Sequence, residues 1–133
     1  MTIENDELNY SVEDVVEIAS ELGIRAAYDI HHQRCYEMRY PGTINEREYL
    51  ELCRTTWEGY GHQRVHLSSP KFGYGDFAKS RPHHDFISID DFPQWLLDYP
   101  DAHLDIEAKA KELAIADLQQ KIDKIRNETE LRV

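Results

Sequence analysis

The chain has 133 residues, a formal net charge of −11 and a hydrophobic fraction of 41%. That length suits one compact domain with one core, and that composition excludes a disordered tract. No stretch reaches the roughly 18 apolar residues of a membrane helix, and the acidic start MTIENDELNY has no apolar signal region, so no membrane association and a cytoplasmic location are expected.

In chain order, residues 2–4 read as the stub of a strand. Ser11 is placed to cap a helix, with Asp14 three residues on completing a capping box. Val12, Val15, Val16, Ile18, Ala19 and Leu22 recur at helical spacing, and Gly23 is a stop signal. Residues 24–30 (IRAAYDI) form a short apolar run ending in a polar residue, as a buried strand would. A loop containing Pro41 and Gly42 is expected next. Residues 45–58 then form a helix with Tyr49, Leu50, Cys53 and Trp57 on one face.

Residues 63–68 (QRVHLS) give a third strand, followed by a long loop through Pro82 rich in glycine, proline and aromatics. A helix is expected over residues 89–99, with Phe92, Trp95 and Leu96 inward. Residues 103–107 (HLDIE) are the fourth strand. The last helix, residues 108–127, would use Leu113, Ile115, Leu118, Ile122 and Ile125, and the final residues should fray. The order β-α-β-α-β-α-β-α implies a parallel α/β sheet with crossover helices. Four such units are half of a (β/α)8 TIM barrel, a single partial domain over residues 1–133. Four parallel strands leave two open edges. The expectation is a fragment, a truncated product or a piece that needs a partner.

The negative charge taken alone argues against nucleic acid, but it is uneven. Acid concentrates on the predicted helices (Glu13, Asp14, Glu17, Glu21, Glu46, Glu48, Glu51, Glu58), whereas the segments after strands carry Arg34, Arg39, Lys71, Lys79 and Arg81. Cys35 and Cys53 form no CxxC pair, and reduced thiols are preferred over a disulfide.

Polar residues gather at the C-terminal ends of the predicted strands: Glu4, Asp29 with His32, His66, and Glu107, with His83 and His84 from the long loop. That edge is where parallel α/β proteins build their sites. Carboxylate and imidazole together suit manganese, iron or zinc, and several such donors on different strands suggest a multi-metal centre. Structural alternatives stand beside this. Asp29 could cap the following loop, His66 could be a satisfied core histidine, and Glu107 could complement a helix dipole. His31 reads as a residue supporting the ligands or as structural rather than as a direct ligand, His84 as a neighbour of the site or a solvent group, Lys109 and Lys111 as solvated helix charges, and Trp57 and Trp95 as core. Phe72, Tyr74 and Phe77, with Lys71, Lys79 and Arg81, could contact a DNA backbone or pack over the barrel mouth.

At these residues the sequence resembles the UV damage endonuclease family, whose barrel is shared with endonuclease IV. The matching pieces are I-E-N-D at residues 3–6, D-I-H-H at 29–32, V-H-L-S-S-P at 65–70, H-H-D-F-I at 83–87 and D-I-E-A-K-A-K-E at 105–112. Their order and spacing resemble the second half of that barrel across nearly the whole chain. The resemblance implies metal-ligand roles for Glu4, Asp29, His32, His66, His83 and Glu107, catalysis at Glu4, Asp29, His66 and Glu107, and manganese as the usual metal, with zinc or iron as alternatives. It implies nicking of damaged double-stranded DNA 5′ to UV photoproducts and other lesions.

Two departures accompany the resemblance. The family's lysine two residues before His66 is Arg64 here, which cannot be carboxylated and whose fixed charge repels a metal. The first half of the barrel, which in the family supplies further histidine ligands and the residues that probe the lesion, has no counterpart in the chain. A second half-barrel, as a homodimer or a separately encoded N-terminal half, is therefore a candidate partner. Three functions are weighed: an assembled nuclease, an inactive metal- or partner-binding remnant of one, and a barrel sugar isomerase or epimerase.

Overall fold

The computed structural model describes residues 1–99 and 101–131. Four strands, β1 (Thr2–Glu4), β2 (Arg25–Asp29), β3 (Gln63–Leu67) and β4 (Ala102–Ile106), pair in the order β1-β2-β3-β4, all parallel. Each strand lies next to its sequence neighbour, as successive strands of a (β/α)8 barrel do, and β1 and β4 are the open edges.

Helix α1 (Val12–Leu22) starts where expected. Ser11 and Asp14 form a reciprocal capping box, and Gly23 closes the helix in the left-handed region at φ 67°. Val12, Val15, Val16 and Ala19 are buried, while Ile18 and Leu22 sit at the margin and face solvent. Helix α3 (Glu46–Arg54) has a second capping box from Asn45 and Glu48. It runs into a 3-10 turn at Thr55–Trp57, so the predicted single helix is an α-helix with a tighter end.

Three expectations are corrected. The segment after β2 is not a loop but helix α2 (Ile30–Glu37), whose polar sequence hides its helicity. It is nucleated by Asp29 as its N-cap and held by burial of Ile30, His31, Gln33 and Cys35. The predicted helix over residues 89–99 is two 3-10 segments, Ile89–Asp91 and Gln94–Asp98. Pro93 separates them because it has no N–H to donate and pushes Phe92 into extended backbone. Phe92 is nonetheless buried, with Trp95 and Leu96 packed against the core.

The last helix begins later than expected. After the one-turn helix α4 (Phe77–Ser80) within the long loop, helix α5 spans Glu112–Leu131. Lys111, at φ 51°, turns the chain just before it. That start rotates the helix so that Ala114, Leu118 and Ile122 are buried, leaving Leu113 and Ile115 exposed. The expected fraying falls partly on residues 132–133, outside those described.

The core lies on one face of the sheet. Ala26, Tyr28, Val65 and Leu67 point to it and meet Val15, Val16, Leu50, Cys53, Leu118 and Ile122. Buried polar groups there are largely partnered. Gln63 donates to the Leu50 carbonyl (2.8 Å), Trp57 Nε1 donates to the Ala26 carbonyl (2.8 Å), and Gln33 Oε1 accepts from Val12 N–H (3.0 Å). Both cysteines are free and buried. Among the described residues no helix is long and apolar enough to cross a membrane. The opposite face carries the alternate residues, Arg64 and His66 on β3 opposite His103 and Asp105 on β4, and among the described residues no helix covers it.

Candidate metal centre

Parallel register brings Asp29 at the end of β2 directly beside His66 on β3. Glu4 ends β1, and Glu107 follows β4, its N–H donating to the Leu67 carbonyl (2.9 Å) so that the ladder runs one residue further. The result is one cluster: Glu4, Asp29, His66 and Glu107 each offer a ligand atom, all within 4.8 Å of one another.

Asp29 does two things at once. Its Oδ1 accepts from His32 N–H (2.8 Å), which caps α2. Its Oδ2, fully buried, has no directional hydrogen-bond partner and lies 3.9 Å from His66 Nδ1. Burial, with Glu107 and Glu4 nearby, raises the Asp29 carboxyl to about 7 against the pull of His32. His66 Nδ1 lies 2.8 Å from a Glu4 oxygen and 2.9 Å from a Glu107 oxygen. Neither contact has hydrogen-bond direction, so they are ionic proximities. The Glu107 and Glu4 carboxylates lift the imidazole to about 10, and the same proximity to His66 holds the Glu107 carboxyl below its usual range.

Two buried polar atoms without directional partners, facing each other among three carboxylates, fit a bound divalent cation. The donor set of three oxygens and one imidazole nitrogen suits manganese, iron or zinc. Cavities flank the cluster on both sides. One of about 230 Å³ is lined by Thr2, Ile3, Glu4, Ala27, Arg64 and His66. The other, of about 470 Å³, is lined by Pro82, His83, Glu107, Ala108 and Lys109.

The remaining predicted residues surround this group without joining it. His32 Nδ1 is taken by the Asn5 carbonyl (2.8 Å) and lies 3.2 Å from Asp29 Oδ2, and its Nε2 is 3.7 Å from Glu7. Burial opposes charge on this ring, but Asp29, Asn5 and Glu7 together raise its pKa. His83 borders the second cavity and packs edge-on against His31, ring centres 5.3 Å apart. His31 lies behind the cluster, and neither of its ring nitrogens enters it. It bridges the Tyr74 hydroxyl (2.8 Å) and the Arg81 carbonyl (3.3 Å), and burial lowers it to about 4, so it is neutral near pH 7.

Tyr74 is therefore turned inward, and Arg81 is engaged by Glu7 (3.0 Å). Lys71 and Lys79 are exposed, Lys71 over the Phe72 ring at 5.5 Å.

Sequence reasoning missed Asn5. Its buried side-chain amide donates to the Asp29 carbonyl (3.0 Å) and accepts from Asp29 N–H (2.9 Å), standing in for a strand residue and fixing Asp29 in place. Its place directly after Glu4 in the I-E-N-D segment was the available signal.

With this geometry in view, the comparisons are consistent. The family model described as UV-endonuclease UvdE matches residues 1–133. The chain belongs to the UV-endonuclease family.

Among curated relatives, it is 34% identical over 119 residues to the UV DNA damage endonuclease of Deinococcus radiodurans, covering 88% of this chain and 36% of that protein. It is 31% identical over 123 residues to that of Halalkalibacterium halodurans, covering 89% and 36%. The chain thus spans just over a third of the length of these relatives. The solved structure titled "Crystal Structure of SacUVDE" superposes with a TM-score of 0.71 at 23% identity, over 97% of this chain and 40% of that one, which supports the half-barrel fold.

Proposed function

We propose that the chain forms one wall of a divalent-metal DNA repair endonuclease centre that nicks lesion-bearing duplex DNA 5′ to UV photoproducts. The observation that carries the reading is the convergence of Glu4, Asp29, His66 and Glu107 around two buried atoms without directional partners. These four residues would hold the metal, with manganese the preferred ion. When bound, a divalent cation supplies charge stabilisation at the phosphodiester and makes water a competent nucleophile at neutral pH.

The chain's own residues do the rest. Asn5 and the α2 cap hold Asp29 rigid, and the third strand presents His66 beside it. His31 pins the Tyr74 loop and the Arg81 backbone at the site's border. Lys71 and Lys79 would meet the DNA backbone, offsetting locally the acid on the helices. The uncovered inner face and the two open edges of the sheet are the surfaces a complementing half-barrel would cover, from a second copy or from a first-half segment.

A second reading, an inactive metal- or partner-binding remnant, is favoured by one observation: Arg64 occupies the inner face two residues before His66 and pairs with Asp105 (3.5 Å). The two readings separate in a nicking assay on a duplex with one cyclobutane dimer, with Mn2+ and with or without the first-half segment of a relative. The nuclease reading expects a 5′ nick leaving a 3′ hydroxyl, lost in EDTA and in Asp29→Asn. Metal binding without nicking under every condition would leave the remnant.

A further inference from the structure

A histidine that ligates through Nδ1 needs its other nitrogen held, or the ring is free to flip and present the wrong atom. Here Nδ1 faces the three carboxylates, and Nε2, on the other side of the ring, lies 3.4 Å from Asp105 Oδ2, an ionic proximity like those at Nδ1. The backbone sets this approach, because His66 and Asp105 are direct cross-strand partners on the uncovered face. Asp105 is in turn approached by Arg64 Nε at 3.5 Å, also from β3. The Arg64 and Asp105 side chains are 58% and 40% exposed, and ion pairs that open add little to stability. What the pair does offer is orientation: an anchored carboxylate behind the imidazole.

We propose that Asp105, steadied by Arg64, is the positioning residue of His66, fixing the ring with Nε2–H toward Asp105 and Nδ1 toward the metal position. This rests on the metal reading of the cluster and gives Arg64 a role that the family's lysine pattern does not anticipate. With Nδ1 committed to a metal, Nε2–H would be the ring's remaining polar group, and Asp105 is the carboxylate placed beside it.

The test uses the full chain and metal alone. Calorimetric titration with Mn2+ should show Asp105→Ala binding ~10- to 100-fold more weakly than wild type, the range expected for losing such a partner. Asp105→Asn, which keeps an acceptor oxygen, should recover part of the loss. Arg64→Ala leaves the carboxylate unsteadied but also removes a cation beside the site, so its test is the ring pattern below, which should be partly lost, and it keeps the proposal testable should Asp105→Ala fail to fold.

A merely structural role would not move the second readout. In Zn2+-loaded protein labelled with 15N-histidine, His66 should show a coordinated Nδ1 and a protonated Nε2, and Asp105→Ala should lose that single pattern. Wild-type binding with the variants unchanged in affinity and ring pattern, or coordination through Nε2 in wild type, overturns the positioning role while leaving the metal reading intact. No saturable binding by wild type overturns both.

Discussion

The two faces of the β3 strand divide the labour of the molecule. Toward the helices it presents Gln63, Val65 and Leu67, all buried, whereas the alternate residues Arg64 and His66 point to the open side. The first face is apolar and closed by α1, α3 and α5. The second is polar, and its chemistry concentrates at the C-terminal end, where Glu4, Asp29, His66 and Glu107 meet. A strand's period of two lets one five-residue segment contribute to a core and to a site at once, so damage to either should be separable from damage to the other.

The largest effect should come from the core side. Leu67→Ala removes a fully buried side chain and should cost ~2–5 kcal/mol in urea unfolding, with the residual metal affinity of the folded fraction unchanged. Asp29→Asn should do the reverse. It removes a buried charge whose Oδ2 has no directional partner while Oδ1 can still cap α2, so metal-free stability should hold or rise. Mn2+ affinity, read by titration, should fall on the order of a hundredfold through loss of a first ligand. A large stability loss in EDTA would instead make Asp29 chiefly a cap.

Asn5→Ala should blur the division, since this side chain serves both sides. Losing its paired hydrogen bonds to the Asp29 backbone should cost ~1–3 kcal/mol and weaken metal binding together. The smallest effect belongs to the rim: Lys79→Ala should weaken DNA binding a few-fold and lower the salt dependence by ~1 counterion, with stability unaffected.

How far the sequence announced these features follows from local against non-local causes. Ser11 with Asp14 and the stop at Gly23 are local signals, and α1 falls where they place it. The four site residues were legible because each lies at, or within one residue of, the C-terminal end of a strand, and parallel topology brings such ends to one edge. Helix α2 was not, because its stability comes from the Asp29 cap and from burial of His31 and Gln33, which only the assembled sheet provides. The break at Pro93 was readable in principle, but the apolar spacing of Phe92, Trp95 and Leu96 suggested a helix that the proline forbids. The contacts of Asn5 with Asp29 and of Asp105 with His66 run between strands, so spacing along the chain does not pair them, and for Asn5 only its place directly after Glu4 was a signal.

The central claim is that the cluster is a cation site, and the pH dependence of Mn2+ binding tests it most directly. In the metal-free chain His66 is protonated at neutral pH, its pKa raised from 6.5 to about 10 by Glu107 and Glu4, so the imidazolium serves as their counter-ion. Because the folded-state value is the higher one, that stabilisation is complete below about 6.5 and is lost as pH rises through about 10. Asp29, raised from 3.8 to about 7, has the opposite sign: it is a penalty to stability that grows as pH climbs toward 7.

A metal must displace the His66 proton and, near pH 7, the proton that Asp29 still partly holds. Saturable binding of at least one Mn2+ per chain is therefore expected, with affinity rising about tenfold per unit or slightly more between about pH 7 and 9, and with about one proton released at pH 9 and more than one at pH 7. Binding should also remove the alkaline loss of stability. Titrations at pH 7 and pH 9 that show no saturable binding, or binding with no proton release and no pH dependence, would contradict it.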